Sequence, residues 1–209
     1  MVENIIELRN ISKKYDEMTI LDNLNLDKME MILVSNNEEI QIMGYEEKYA
    51  KEMSEIILSN LYTINIKDYG KEAIDKIARH FTEDEIKKNF PNRVKCFVAL
   101  KEGKVVGTAS IDRIKDMYGV KIEHRENKYI ILTVFTSLEN QHQGIGKMLI
   151  QKIEEYASEK QATELFIPAS IYGCEFYKKL GYGYYHGIKT LNEDGEYVLS
   201  KCITKGKKL

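Results

Sequence analysis

The spacing of apolar and polar residues changes once along the chain. Residues 4–26 alternate apolar and polar positions on either side of a polar turn at 13–17, a pattern that predicts a β-hairpin. After this stretch the pattern becomes that of an α/β unit. We therefore expect an N-terminal extension over residues 1–37 and one main domain over residues 38–209.

The first half of the main domain is predicted to be mostly helical. A strand at residues 40–43 precedes three segments whose apolar residues recur every three or four positions, at residues 49–61, 73–78 and 83–89. Thr82 and Glu85 have the spacing of a capping box for the third helix, and Pro91 marks its end.

The second half alternates strands and helices. Residues 94–100 and 105–111 flank a tight turn and predict an antiparallel hairpin. Residues 129–136 are nearly all apolar, as expected of a central strand covered on both faces. An apolar helical stripe begins at Ile145. The remaining predicted elements are a strand at 164–167, a helix at 171–180, and strands at 182–188 and 197–203.

Composition is that of a globular protein with one main core. The chain has 209 residues, of which 43% are hydrophobic and 31% charged. Its net charge of -2 offers no strong field to nucleic acid or to an anionic membrane, so neither is an expected partner. The longest apolar run, residues 129–135, is far shorter than the roughly 20 residues of a membrane-spanning helix. The N-terminal residues lack the pattern of a secretory signal, and we expect a cytoplasmic protein.

Cysteine and histidine give no metal or disulfide pattern. The three cysteines, Cys96, Cys174 and Cys202, are widely spaced and include no Cys-x-x-Cys pair. The four histidines are scattered, without a His-Glu-x-x-His spacing. We expect reduced thiols, mostly buried, and no metal site.

The N-terminal stretch resembles the first strands of an ABC-transporter ATPase domain. The similarity lies in residues 6–15 and 20–26. No Gly-x-x-x-x-Gly-Lys-Ser/Thr loop follows, and that loop would hold the nucleotide phosphates. We interpret the stretch as an accessory extension and do not expect ATP binding.

A glycine-containing segment, residues 141–147, follows the predicted central strand and opens a helix. Free amides at a helix N-terminus bind anionic phosphate, and the helix dipole adds to this. Gly144 and Gly146 carry no side chain that would keep a pyrophosphate from the backbone. An isolated Gly-x-Gly is more often a plain turn, so the context decides the interpretation.

That context resembles the GNAT N-acetyltransferase family. Gln141, Gly144 and Gly146 occupy the defining positions of the motif Arg/Gln-x-x-Gly-x-Gly/Ala. A second stretch, residues 170–182, resembles the family's closing helix, in which Tyr177 and Gly181 match. Thr136, Leu138, Ser170 and Gly173 depart from the commonest family residues, which are valine, proline, asparagine and alanine respectively.

The resemblance implies a GNAT-type fold, a mixed and mostly antiparallel twisted sheet flanked by helices. It implies acetyl-CoA as the acyl donor and a primary amine, on a small molecule or a peptide, as the acceptor. Tyr177 would protonate the departing thiolate, and a backbone N–H near Phe135 and Thr136 would stabilise the carbonyl oxygen. The cofactor contacts it implies are Phe135, Thr136, Gln141, His142, Gln143, Gly144, Ile145, Gly146, Lys147 and Ser170.

Several alternatives stay open at this point. Glu139, Asp112 and Glu123 could each be the general base, although acids are common here and none is assigned. The aromatic residues at positions 62, 69, 80 and 81 could line the acceptor pocket. A protein that binds acyl-CoA as a sensor without catalysis is the second functional hypothesis. The acceptor and the oligomeric state, including a homodimer, are also open.

Overall fold

The computed structural model describes residues 8–15, 18–26, 40–114 and 120–203. Contacts within the chain separate two units, Met1–Asn37 and Glu38–Leu209. In the first, strands β1 (Leu8–Tyr15) and β2 (Met18–Leu26) pair antiparallel, which confirms the predicted hairpin. Residues 16 and 17 of the predicted turn and the predicted boundary between residues 37 and 38 lie outside the described residues.

The second unit is built on a seven-stranded sheet, in the order β3-β4-β5-β6-β7-β9-β8. Every pair of neighbouring strands is antiparallel except β6 and β7, which are parallel. The predicted mixed and mostly antiparallel sheet is therefore confirmed. The strands are β3 (Gln41–Gly44), β4 (Lys95–Lys101), β5 (Lys104–Arg113), β6 (Lys128–Thr136), β7 (Glu164–Ala169), β8 (Gly183–Tyr184) and β9 (Tyr197–Cys202).

Among the described residues, five α-helices cover the two faces of this sheet. One face packs against the first three helices, and the other packs against the last two, around separate buried clusters. A π-helical turn, Leu61–Asn65, joins the first helix to the second. The helices are α1 (Ala50–Asn60), α2 (Ile66–Ala78), α3 (Glu83–Asn89), α4 (Ile145–Glu159) and α5 (Ile171–Lys179).

Local chemistry explains several of the element ends. The Thr82 hydroxyl accepts a hydrogen bond from the Glu85 amide at 3.4 Å, which confirms the predicted cap of α3. The Glu85 carboxylate accepts from Asn89 Nδ2 instead of completing the capping box. Glu102 and Gly103, both in the left-handed region, form the two-residue turn between β4 and β5.

Two predicted elements differ from the structure. The strand expected at residues 182–188 is reduced to the two residues of β8, because His186 and Gly187 have positive φ angles that turn the chain out of the sheet. The second helix starts at Ile66, earlier than predicted, and contains a break at Gly70, whose φ of 75° is not helical. The start of this helix could not be recognised from the spacing of apolar residues, because several residues before Ala73 are polar.

Cys96 and Cys174 are buried and Cys202 is exposed, and all three are free thiols.

None of the helices in the described part of the chain combines the length and the apolar character that a membrane crossing needs.

Candidate active site

Strands β6 and β7 separate after a short stretch of pairing, and the site lies in the gap. Their parallel pairing runs from Lys128 opposite Glu164 to Ile130 opposite Phe166. Beyond this point β6 continues to Thr136 and β7 to Ala169 without pairing with each other. A cavity of about 650 Å³ opens there. The predicted central position of β6 is confirmed, but its residues from Leu132 onward are only half-buried because they border the cavity.

A β-bulge directs the backbone of β6 beside this cavity. Ser110 pairs with Leu132 and Thr108 pairs with Phe135, so that two residues of β6, Thr133 and Val134, stand opposite one residue of β5. Thr133 has a φ of 50°, a conformation that a β-branched residue rarely adopts. Bulges commonly lie next to active sites, where they redirect side chains.

The N-terminus of α4 borders the same cavity and carries free backbone amides. Its N-cap is Gly144, so no side chain caps the helix, and no acidic residue lies in its first turn. The first hydrogen bond of the helix runs from the Met148 amide to the Gly144 carbonyl, which leaves the preceding amides unused within it. In contrast, α3 has a threonine cap and three acidic residues in its first turn. The exposed amides and the helix dipole make this end of α4 suitable for a phosphate.

The two glycines of this segment have different roles. Gly144 has a φ of 82°, and a Cβ added to it would meet no atom within 4 Å. A Cβ on Gly146 would lie 3.1 Å from the ring of Phe176, so this glycine allows α4 to pack against α5. The prediction that both glycines make room for a pyrophosphate stays a prediction, and Gly146 has this second role in helix packing.

Tyr177 lies on α5 and lines the cavity with its side chain 9% exposed. Burial, and to a smaller extent the negative charge of Glu196, raise the pKa of its hydroxyl above the ordinary range. The hydroxyl therefore stays protonated at neutral pH. No hydrogen bond joins it to another residue in the described part of the chain.

Glu196 is a carboxylate of the cavity whose charge acts on Tyr177. It precedes β9, in which Tyr197 pairs with Ala169 at the end of β7, and this pairing brings it to the cavity. Burial, followed by repulsion from Asp194, raises the pKa of its carboxyl to about 7 despite a hydrogen bond with Asn192. A carboxyl with a pKa near 7 is suited to accept a proton at neutral pH.

A family model described as the acetyltransferase (GNAT) family matches residues 58–182, which include β4 to β7, the glycine loop and α5. The chain belongs to the GNAT acetyltransferase family. The resemblance of residues 141–147 and 170–182 to this family is thereby confirmed.

Solved structures of GNAT acetyltransferases share the fold. The PaiA N-acetyltransferase from Thermoplasma acidophilum, in complex with coenzyme A, is 17% identical with a TM-score of 0.64, over 78% of this chain and 99% of that one. A GNAT acetyltransferase from Staphylococcus aureus Mu50 is 17% identical with a TM-score of 0.58, over 79% and 100%. YncA from Salmonella typhimurium, a putative acetyltransferase with acetyl-CoA, is 12% identical with a TM-score of 0.60, over 80% and 96%. At these identities the likeness is one of fold.

One curated relative matches over a short stretch. The spermidine/putrescine import ATP-binding protein PotA of Clostridioides difficile (strain 630) is 54% identical over 44 residues, which are 21% of this chain. The matched stretch is 11% of the length of that protein. This match agrees with the resemblance of the N-terminal stretch to an ABC ATPase.

The structure of this GNAT protein brings most of the predicted cofactor residues to one cavity. Gln143 is exposed and is not among the described residues that line it. The Ser170 hydroxyl accepts a hydrogen bond from the Gly173 amide at 3.0 Å and so also caps α5. The predicted residues that line the cavity are Phe135, Thr136, Gln141, His142, Gly144, Ile145, Gly146, Lys147 and Ser170.

The other candidates divide between the cavity and the outer surface. Of the four aromatic residues considered for the acceptor pocket, Tyr69 and Phe81 line the cavity, whereas Tyr62 and His80 do not. Glu139, Asp112 and Glu123, which were considered as bases, also lie outside it.

Sequence reasoning missed several residues of the cavity, among them Asn60, Arg93 and Glu196. Each reaches the cavity through long-range packing, and no local motif marks any of them. Only the position of Glu196 directly before a predicted strand could have drawn attention to it.

Proposed function

We propose that this protein is an N-acetyltransferase that moves the acetyl group of acetyl-CoA to a primary amine. The observation that carries the proposal is a single cavity bordered by the free amides of α4, the unpaired edge of β6, the Tyr177 hydroxyl and the Glu196 carboxylate. Membership of the GNAT family supports acetyl transfer in general. The CoA and acetyl-CoA in the related crystal structures support the choice of donor.

Acetyl-CoA would bind along the gap between β6 and β7. The amides at the start of α4 would hold its pyrophosphate, and the Lys147 ammonium, which also borders the cavity, would add positive charge. The pantetheine arm contains amide groups, and these would hydrogen-bond to the backbone edge of β6 that β7 leaves unpaired. Gln141, whose Nε2 donates to Asn60 Oδ1 at 3.4 Å, would fix the loop against α1.

The acceptor amine would attack the thioester carbonyl directly. A carbon–nitrogen bond forms, the carbon–sulfur bond breaks, and the electron pair of that bond leaves on the sulfur of CoA. The carbonyl oxygen carries negative charge in the transition state, and a backbone N–H near Phe135 and Thr136 would stabilise it.

Two proton transfers complete the reaction. Glu196 would accept the proton that the attacking amine loses, directly or through water, because its pKa of about 7 leaves about half of the carboxyl groups ionised at neutral pH and matches the base to the working pH. Tyr177 would donate its proton to the departing thiolate, since burial keeps its hydroxyl protonated. After one turnover Glu196 is protonated and Tyr177 is deprotonated, and proton exchange with solvent returns both groups to their starting states.

A thiol-release assay tests this proposal. The protein is incubated with acetyl-CoA and separate amines from four classes: amino acids, polyamines, aminoglycosides and peptide N-termini. We expect free CoA and an acetylated product with at least one amine. CoA binding without thiol release for any amine would favour the acyl-CoA sensor, and absence of CoA binding would contradict both hypotheses.

A further inference from the structure

Arg93 is a charged cavity residue for which the proposed chemistry has no role. It follows the 3-10 turn Phe90–Asn92, immediately before β4, and its side chain is half-buried. Its guanidinium carbon lies 4.1 Å from the centre of the Phe90 ring. Its Nη1 donates hydrogen bonds to Ser110 Oγ and, at 2.8 Å, to Thr133 Oγ1 at the bulge of β6. The guanidinium is therefore held in one orientation beside the cavity.

This charge has no ion-pair partner in the described part of the chain. The hydrogen-bond partners of Arg93 are neutral hydroxyls. The charge of Asp112 acts on the guanidinium from a distance, but no described carboxylate oxygen lies within salt-bridge distance of its nitrogens. Burial lowers the pKa of the guanidinium, a sign that its positive charge is incompletely solvated. Charged groups taken from water are normally paired, because an unpaired charge loses its hydration without compensation.

One edge of the guanidinium is also unused. A guanidinium has five donor hydrogens, and the two on Nη1 are sufficient for the two hydroxyls. Neither Nε nor Nη2 donates to any residue that the structure describes. The Nε–Nη2 edge presents two parallel donors, the arrangement that binds the two oxygens of a carboxylate.

The position of Arg93 separates it from the phosphate site. It contacts β6 at Thr133, whereas the loop that would hold the pyrophosphate begins beyond Thr136. Three residues of strand span roughly 10 Å. An anion at Arg93 is therefore a different group from the pyrophosphate of CoA.

We propose that Arg93 binds a carboxylate of the acceptor, so that the substrate is an amine bearing a carboxylate, such as an amino acid, and not a polyamine or an aminoglycoside. This inference rests on the proposed function, because it requires the amine to react in the same cavity. The carboxylate would supply the missing counter-charge of Arg93, while the amine lies at Glu196 and Tyr177.

The alternative is that Arg93 only holds the bulge. Its bonds to Ser110 and Thr133 then stabilise the strained φ of Thr133, and no anion binds. The two roles predict different substrate behaviour. Loss of a structural residue weakens activity with every amine alike, whereas loss of a carboxylate-binding residue removes only a preference.

Matched pairs of acceptors separate the two roles. Each amino acid is compared with the amine formed by its decarboxylation: lysine with cadaverine, ornithine with putrescine, arginine with agmatine, and tyrosine with tyramine. The remaining proteinogenic amino acids complete the panel. For the preferred pair we expect wild-type kcat/KM to be on the order of 100-fold higher with the α-carboxylate present, from hydrogen bonds to a charged group.

Variants assign this preference to Arg93. Arg93→Met should reduce the ratio within the pair to a few-fold, chiefly by raising KM for the amino acid. Any loss caused by the missing hydrogen bonds to Ser110 and Thr133 should affect both members of the pair equally and cancel in the ratio. Arg93→Lys should restore part of the ratio, because it keeps the charge without the two parallel donors. Arg113→Met, which removes an exposed arginine outside the cavity, should leave the ratio unchanged. Thermal unfolding of each variant shows whether it is folded.

Each other outcome overturns the inference. If the wild type acetylated the decarboxylated amines as well as or better than the parent amino acids, the inference would be overturned and the proposed function would remain intact. An equal loss with both members of a pair in Arg93→Met would assign Arg93 to the bulge alone. Normal CoA binding with no amino acid acetylated would also contradict the inference, and absence of CoA binding would remove the proposed function on which it rests.

Discussion

The buried side chain of Asn60 joins helix α1 to the end of strand β6. Its Nδ2 donates to the Thr136 carbonyl oxygen at 2.9 Å and to the Ile56 carbonyl oxygen at the same distance. Its Oδ1 accepts from Gln141 Nε2, at the start of the glycine loop. One amide therefore holds together the helix, the strand end and the loop that border the cavity.

Asn60→Leu should weaken CoA binding and destabilise the fold. The substitution leaves the half-buried Thr136 carbonyl and the Gln141 amide without this partner, at a cost of about 1–3 kcal/mol in the free energy of unfolding. Urea denaturation and calorimetric titration with CoA measure the two effects. Asn89→Leu is the matched control, because Asn89 hydrogen-bonds only at the surface of α3. Equal effects of the two substitutions would contradict this role of Asn60.

The parts of the site that could be predicted from the sequence are those with local signals. The apolar run of β6, the glycine loop and the stripe of α4 follow one another in the chain, so their periodicity and motif are sufficient to place them together. Glu196 could not be placed in this way, because it reaches the cavity only through the pairing of Tyr197 with Ala169. The contact between Gly146 and Phe176 likewise depends on the packing of two helices.

Tyr177→Phe should lower kcat and leave CoA affinity nearly unchanged. The ring contacts with Phe176 and Tyr182 do not need the hydroxyl, whereas protonation of the thiolate does. Loss of a general acid reduces the rate by roughly 10²- to 10⁴-fold. Steady-state kinetics with an accepted amine gives kcat.

Tyr45→Phe serves as the control for that substitution. The Tyr45 hydroxyl is buried without a hydrogen-bond partner among the described residues, and it lies outside the cavity. Its removal should leave kcat unchanged and should not reduce stability. A Tyr177→Phe protein with full kcat would show that the tyrosine is structural.

Glu196→Gln should remove the acidic limb of the pH–rate profile. In the wild type, kcat/KM should rise with pH through about 7, because the carboxyl must lose its proton before it can accept one from the amine. The glutamine cannot titrate, so the variant should show a low and flat profile in this range. Glu193→Gln, which changes an exposed carboxylate of the same turn, should keep the limb. A persistent limb in Glu196→Gln would assign it to another group.

The raised pKa of Glu196 also predicts how the stability of Glu196→Gln differs from that of the wild type as pH changes. Its pKa is higher in the folded protein than the ordinary glutamate value of 4.5, so the folded state binds the proton more tightly. The stability contributed by the protonated form is present at low pH and is lost as pH rises through about 7. Glu196→Gln should therefore gain stability relative to the wild type at alkaline pH. Thermal unfolding followed from acidic to alkaline pH checks this, and a constant difference would contradict it.

The N-terminal extension is expected to be unnecessary for acetyl-CoA binding. A chain that begins at Met31 keeps the family region and lacks the residues that resemble an ABC ATPase. It should fold and bind CoA with the affinity of the full chain, as measured by calorimetry. Loss of folding would show that residues 1–30 belong to the main core, and thermal stabilisation of the full chain by ATP would revive nucleotide binding.

Calorimetric titration of CoA into the Gly144→Glu variant tests the central claim most directly, namely that the N-terminus of α4 holds the pyrophosphate. Gly103→Glu is the matched control, since Gly103 has a similar φ of 77°, open surroundings and a place in a turn outside the cavity. Both substitutions impose similar backbone strain, but only the one at Gly144 puts a negative charge against the phosphate. The account predicts tight CoA binding by the wild type and by Gly103→Glu, and loss of binding by a folded Gly144→Glu protein. Unchanged CoA affinity in Gly144→Glu would contradict it.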